Sequence, residues 1–483
     1  MRKKLLSGIL FFLVLNLVVK PFWILGIDVQ VQNRVGAAEY GLYFAILSFA
    51  YMFNILLDLG VTNFNSRNIA QHSHLLKKHL PVILNIKLVL FALFLLATFV
   101  VGLVIGYDSR QFVLLAWVSL IQFLNSLVLY LRSNFSGLFL FKTDSLLSVM
   151  DKVLMIIFCA IMLWGGVLKN GFHIEHFIYA QVLAYAITAA IALIILIHKT
   201  GMRRLRWDMP VSWMIIKKSL PFALLALLMS FYSRLDPVML ERMLPEGTGA
   251  TQSGIYAGAF RLLDAIVMIV YLVSVPLLPV YSKMTKDGED VSQITKLVFT
   301  LVFCASSAMA ITLSFTADGV IALFYDNNTA EMTQVFKILI FCLIPISSIY
   351  VFGTLLTANG NLKLLNIIAL ASLITNFAVN MLVIPRLMAH GSAFAALATQ
   401  MVSAVAQVVI AIRIFHLHIS GRYLLQMLGF FAVVVLANFG GLSLGLPWWV
   451  VVIGAGVISI AVMFGLRLAS LKELVAILRS KEE

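Results

Sequence analysis

Charge is scarce in this chain. Only 12% of its 483 residues are Asp, Glu, Lys or Arg and 62% are hydrophobic, whereas an ordinary soluble domain carries roughly a quarter charged residues. That deficit excludes a water-soluble globular protein. Cysteine is also rare: Cys159, Cys304 and Cys342 stand far apart inside apolar runs, without the C-x-x-C spacing of a metal or redox centre. They read as small packing residues, and neither a metal nor a cofactor is expected. The G-x-x-x-x-G-K-[ST] phosphate loop is missing, which argues against ATP hydrolysis within this chain.

Long apolar runs fill what is left. A helix needs about 20 mostly apolar residues to cross a hydrocarbon core roughly 30 Å thick, and windows of that length predict helices near residues 5–27, 40–62, 80–106, 111–131, 146–168 and 174–197. A second set follows near 211–240, 253–280, 293–316, 332–358, 363–384 and 391–414, and a last pair near 421–440 and 446–468. The expected fold class is therefore an all-α integral membrane protein of about fourteen helices.

The formal net charge of +14 is a membrane signature here, not a nucleic-acid one, because the basic residues sit in short connections. Lys and Arg gather on the cytoplasmic side. With the N-terminus inside, inner loops and helix ends collect 25 of them, from Arg2, Lys3 and Lys4 through Lys152 to Lys481, against five outside: Arg34, Arg110, Lys169, Arg242 and Arg386. A miscounted helix would invert every later loop and destroy that asymmetry, so the even number is well supported and both termini are expected in the cytoplasm. Met1-Arg-Lys-Lys and the apolar stretch after it resemble a signal peptide, but the small-residue cleavage site is lacking and apolar residues continue past Lys20-Pro21, so this is expected to be an uncleaved first helix.

The longest polar interruption, His198–Lys218, carries Lys199, Arg203, Arg204, Arg206, Lys217 and Lys218, a composition suited to fixing topology and touching anionic lipid. It also separates two six-helix sets. The second helix of each opens alike, with Tyr40-Gly41-Leu42-Tyr43 and Ser253-Gly254-Ile255-Tyr256. Two sets entering from the same side imply a parallel repeat, an arrangement that commonly places substrate between its halves. Residues 1–200 and 201–415 are expected to form the two lobes, and 416–483 a terminal helix pair and tail.

Several segments carry a family resemblance. Asn33-Arg34-Val35-Gly36-Ala37-Ala38-Glu39-Tyr40-Gly41, Leu57-Asp58-Leu59-Gly60 and Ser66-Arg67-Asn68 are followed by Ser219-Leu220-Pro221-Phe222, Arg234-Leu235-Asp236-Pro237 and Gly254-Ile255-Tyr256 through Arg261-Leu262-Leu263-Asp264. Pro276-Leu277-Leu278-Pro279, Leu355 to Asn361, Asn376, Asn380 and Ile384-Pro385 continue the series. In this order they resemble the polysaccharide transporter branch, with its Wzx-type O-antigen flippases, of the multidrug/oligosaccharidyl-lipid/polysaccharide exporter (MOP) superfamily. One departure lies after Ile384-Pro385, where the family's Gly-x-x-Gly-Ala-Ala turn reads Ala389-His390-Gly391-Ser392-Ala393. The resemblance implies the MOP flippase fold in the bacterial inner membrane. It also implies translocation of a polyprenyl-phosphate-linked or pyrophosphate-linked glycan by alternating access, with helices 1, 7 and 8 beside a central cavity.

Charges inside hydrocarbon are costly and mark functional candidates. Lys20, Arg234, Asp236, Arg261 and Asp264 all fall within apolar runs and, at about 1.5 Å per residue, in the outer half of the membrane. Lys20, Arg234 and Arg261 are the candidates for binding the lipid phosphate, since such cations form charge-assisted bonds to its oxygens; the bland alternatives are an i,i+3 pair of Arg261 with Asp264 and snorkelling of Arg234. Asp236 and Asp264 are candidates for a coupling proton or sodium ion, or for an ion pair between helices 7 and 8. Asp58 reads as part of a helix-end motif, and Lys87 and Lys337 as snorkelling residues.

Asn16, Asn376, Asn380, Gln400 and Gln407 share helix faces one or two turns apart, so they line either a glycan path or helix contacts. Trp448-Trp449 read as an interface anchor, and the last helix pair as a groove for the polyprenyl tail or as lipid-facing surface. Pro21, Pro237, Pro276 and Pro279 are candidate kinks. Two other functions compete. A multidrug cation antiporter would want acidic residues in its cavity, and a glycan polymerase or ligase would want a sizeable outer loop with Arg or His; the longest here, near residues 243–252, is short. No catalytic residue is expected.

Overall fold

The structure is a computed structural model and describes residues 14–468, apart from 169–170, 201–209, 211–212, 214–216, 218–222, 275–276, 328, 419 and 467. Most of the basic stretch His198–Lys218, the first residues of helix 1, the start of helix 7 and Pro276 lie outside the described residues. Among the described residues there is helix and no strand. This follows from the composition: in hydrocarbon each backbone N–H and C=O must be satisfied within its own segment.

In chain order the helices are α1 (Val14–Met52), α2 (Val61–Gln71), α3 (Leu76–Val104), α4 (Ser109–Gly137), α5 (Phe141–Trp164), α6 (Ile174–Thr200), α7 (Ala223–Met243), α8 (Thr248–Ser274), α9 (Leu277–Asp287), α10 (Ser292–Phe315), α11 (Ala317–Phe324), α12 (Ala330–Ala358), α13 (Leu362–Phe415), α14 (Gly421–Ser443) and α15 (Trp448–Gly465). Among the described residues twelve are long and apolar enough to cross a membrane, which makes this a multi-pass membrane protein. Two of the twelve are broken by one non-helical residue, α1 at Gly36 (φ 84°, ψ 166°) and α13 at Met388 (φ 49°, ψ −128°). Counting across those breaks gives the fourteen segments expected. The polar residues 28–39, expected as a connection, are instead helical on both sides of Gly36, a reversal that glycine makes at no steric cost.

The chain divides into two compact units, 1–261 and 262–483, the division falling inside α8. In the first unit α4 packs on α6 and on α2, α5 on α6, and the second half of α1 on α7. Within α1 the residues Trp23–Asp28, just after Pro21, form a π-helical turn whose Trp23, Ile27 and Asp28 face inward. Such turns widen the helix by a residue and recur at functional sites. Asp58 begins α2 as a helix-end motif, its carboxylate accepting from the Thr62 backbone N–H at 3.3 Å and from the Thr62 hydroxyl.

In the second unit α10 packs on α14 and α15, and α12 on α13. Cys304, Phe430, Val434 and Met427 belong to its apolar core. The tryptophan pair divides its work: Trp448 covers Gly319 so closely that a Cβ there would lie 2.3 Å from the indole, and Trp449 is exposed. Only the second is placed as a membrane anchor. All three cysteines are free and buried.

Candidate functional site

The site grows from Asp28. The π-turn buries this carboxylate to 1% exposure, and a buried charge persists only with partners. Tyr40, on the same broken helix, donates its hydroxyl to Asp28 Oδ1 at 2.7 Å. Arg261 on α8 brings its Nε to 2.8 Å from Asp28 Oδ2 and to 3.0 Å from the Tyr40 hydroxyl. The Arg261 guanidinium lies 5.0 Å from the centre of the Phe44 ring. Arg261 is thus fixed by charge, hydrogen bond and aromatic face together.

A cavity of about 160 Å³ opens beside this triad, bounded by Trp23, Asp28, Tyr43, Ser48, Tyr51, Gln122, Asn125, Lys152, Phe177, Gln181, Tyr185, Arg234 and Arg261 among others, all in the first unit. Arg234 on α7 stands between two rings, 4.8 Å from Tyr51 and 5.1 Å from Phe260. Lys152 on α5 accompanies Asp151 at 3.2 Å, donates to the Tyr185 hydroxyl at 2.9 Å, and lies over Tyr185 and Trp23 at 4.9 and 5.6 Å. Three cations therefore line one cavity, and among the described residues Asp28 is its only lining carboxylate. Aromatic faces stabilise each of them by about 1 kcal/mol; Arg261 is also paired with Asp28 and Lys152 with Asp151.

Two of the three expected cations, Arg234 and Arg261, meet here. Lys20 is half-buried on α1 and outside the lining; the charges that bear on it are Lys152, Asp151 and Arg132. Lys152, counted from the loop pattern with the inner helix ends, is a cavity residue instead. It lies six residues past the start of the helix expected over 146–168, directly after Asp151. Asp28 hid in the stretch expected to be a connection.

Asp236 is 3% exposed and accepts from the Tyr256 hydroxyl at 2.9 Å, linking α7 to α8. Asp264 is half-buried in the second unit. Of the amides, Asn16 donates to Ser148 Oγ at 3.0 Å, Asn380 to Asn376 at 3.2 Å and Gln407 to Ser403 at 3.1 Å, while Asn380 accepts from Ser392 at 3.0 Å. Gln400 is half-buried on α13. None of the five lines the cavity.

Snorkelling fails for Lys87. It is 1% exposed, and its ammonium sits 2.5 Å from Asp58, 3.0 Å from the Leu57 carbonyl and 2.9 Å from Ser126 Oγ, because a carboxylate one helix away solvates it better than a stretch toward the interface. Lys337 is more accessible and pairs with Asp318 at 3.2 Å.

With fold and cavity described, the comparisons with known proteins can be placed. The model of a family described as polysaccharide biosynthesis protein matches residues 5–285, more than half of the chain and all of the cavity. The chain belongs to that family. No curated protein matches it in sequence. Among solved structures, the lipid II flippase MurJ in an inward closed conformation is similar at 13% identity and TM-score 0.68, over 95% of this chain and 98% of that one. An inward-facing multidrug resistance MATE family transporter of the MOP superfamily is similar at 13% identity and TM-score 0.61, over 84% and 94%. A MOP superfamily transporter from Pyrococcus furiosus, described as having a binding pocket of reverse polarity, is similar at 15% identity and TM-score 0.57, over 86% and 95%. The fold of this polysaccharide biosynthesis protein is the MOP flippase fold.

Proposed function

We propose that this protein is a flippase that turns a polyprenyl-phosphate-linked or pyrophosphate-linked oligosaccharide over across the bacterial inner membrane, for assembly of a surface polysaccharide such as O-antigen, capsule or exopolysaccharide. The observation that carries this reading is the cavity, where Lys152, Arg234 and Arg261 face a space with a single carboxylate. A phosphate group is an anion that such a cluster of cations can hold, and Arg binds it through two parallel bonds. Lys20, within the influence of the Lys152 charge, is assigned to the same phosphate. Family membership and a fold shared with a protein named as a lipid II flippase support the same reading.

In this proposal the two lobes, 1–200 and 201–415, rock about the cavity in alternating access, with both termini in the cytoplasm. Asp236 or Asp264 takes up a coupling proton or sodium ion, and α14 and α15 offer the polyprenyl tail an apolar surface. The protein is a transporter, not an enzyme. A cation antiporter on this fold would need a cavity of the opposite sign.

The test is surface glycan display in cells lacking the chromosomal copy, complemented with wild type, Arg261→Ala or Arg261→Lys at matched membrane levels. Loss of surface glycan with accumulation of lipid-linked repeat units inside, unrescued by Arg261→Ala, is the expected result. Intact surface glycan together with sensitivity to cationic drugs would replace this reading with the antiporter.

A further inference from the structure

Another cavity, of about 260 Å³, belongs wholly to the second unit, where the start of α10, the end of α13 and the first turn of α14 meet. One wall is Phe352, in a π-helical turn of α12 at Ile349–Gly353; such turns recur at functional sites. The lining changes character with depth. Asp290, Ser292, Gln293 and His418 lie at or beyond the helix ends, Lys296 one turn in, and Phe299 and Val408 two turns in, about 10 Å at the rise of an α-helix. Phe299, Val408, Ile412 and Leu417 stay partly accessible. A polar rim over an apolar floor, at helix ends that loop charge assigns to the cytoplasmic side, suits an amphiphile.

The rim carries both signs of charge. Lys296 Nζ lies 5.2 Å from the centre of the Tyr423 ring, whose hydroxyl is 2.8 Å from the Thr300 hydroxyl. Asp290 Oδ1 accepts from the Ser292 backbone N–H at 2.8 Å, and bonds from Ser292 hold its carboxyl below the usual carboxylate range. Among the described residues neither charge forms an ion pair.

We propose that this cavity holds a phospholipid with an ethanolamine headgroup, its ammonium against Asp290, its phosphate against Lys296 and His418, and the start of one acyl chain over Phe299, Val408 and Ile412. A primary ammonium has three N–H groups to give a carboxylate, and the phosphate takes charge-assisted bonds from the Lys296 ammonium. A headgroup with phosphate alone would set an anion against Asp290, and a choline headgroup has no N–H to offer it. The size agrees: 260 Å³ corresponds to about nine waters at roughly 30 Å³ each, room for a headgroup and the start of one chain but not for two chains.

The experiment follows thermal unfolding of the full-length protein in detergent against added dioleoyl phosphatidylethanolamine, phosphatidylcholine, phosphatidylglycerol or undecaprenyl phosphate. Relative affinities come from the dependence of melting temperature on lipid concentration. The variants are Asp290→Asn and Lys296→Gln, both at exposed positions and so folding as wild type does, and Val408→Phe, which narrows the floor. Phosphatidylethanolamine is expected to bind wild type about tenfold more tightly than the other three, the worth of one charged hydrogen bond. Asp290→Asn weakens it by about three- to tenfold without weakening phosphatidylglycerol, Lys296→Gln weakens both, and Val408→Phe weakens every lipid. A phosphatidylethanolamine preference that is absent, or that survives Asp290→Asn, would overturn the proposal. So would tightest binding by undecaprenyl phosphate, or lipid binding indifferent to Val408→Phe, which would place the headgroup on the surface with no chain in the cavity.

Discussion

Gly41 and Gly254 meet backbone to backbone. A Cβ on Gly41 would lie 1.9 Å from the Ala250 carbonyl oxygen and 2.4 Å from the Gly254 nitrogen, and one on Gly254 would lie 1.9 Å from the Ala37 carbonyl oxygen. Around this crossing Ser253 donates to the Gly41 carbonyl at 3.1 Å and Gln32 to the Gly254 carbonyl at 2.9 Å. The two glycines are the matching residues of the similar helix entries at Tyr40-Gly41 and Ser253-Gly254, so that similarity marks a place where two helices touch. Close approach of this kind is how small residues pack helices in membranes.

Gly41→Ala and Gly254→Ala are expected to lower stability by about 3 kcal/mol or more, beyond the usual cost of overpacking, because the obstacle is backbone. Gly454→Ala and Gly456→Ala, where a Cβ meets nothing within 4 Å, are expected to be neutral. Thermal unfolding in detergent, read by monodispersity, checks both pairs; equal behaviour of the two sets would contradict the crossing.

Arg261→Ala leaves Asp28 buried without its charge partner and should destabilise by about 3–5 kcal/mol. The double variant Asp28→Asn with Arg261→Met removes both charges and should recover most of that loss without recovering surface glycan. Recovery of transport in the double variant would show that Arg261 serves only to neutralise Asp28.

The Lys87–Asp58 pair should behave differently. Lys87→Ala is expected to cost about 3–5 kcal/mol, and Lys87→Met with Asp58→Asn to restore stability and transport together, since neither residue lines the cavity. A stable double variant that fails to display glycan would assign this pair a part in the transport cycle.

Ser392→Ala removes the donor to Asn380 and should cost about 1 kcal/mol with transport rates unchanged at matched protein levels. A selective fall in glycan display, with stability intact, would return Asn376 and Asn380 to the glycan path.

Much of the fold was legible because hydrocarbon imposes a simple rule on apolar length, and loop charge then fixes parity. Arg234 and Arg261 were legible for the same reason: a charge in an apolar run stands out. Asp28 did not stand out, because it sits among Gln30, Gln32, Asn33 and Arg34, and a polar stretch at a helix end looks like a loop. Lys152 was masked by its neighbours Lys142 and Asp151, which gave it the appearance of an interface residue.

The π-turn at Trp23–Asp28 fixes the phase of helix 1. One residue corresponds to about 100° of helical rotation, so the extra residue held in that turn decides which way each half of the helix looks. It lets Asn16 reach Ser148 below the turn while Asp28 reaches Arg261 and Gln32 reaches Gly254 above it. Were the turn to relax into ordinary α-helix, the two halves could not both keep their partners. The extra residue at Trp23–Asp28 is thus what keeps Asp28 turned to Arg261 while Asn16 stays on Ser148.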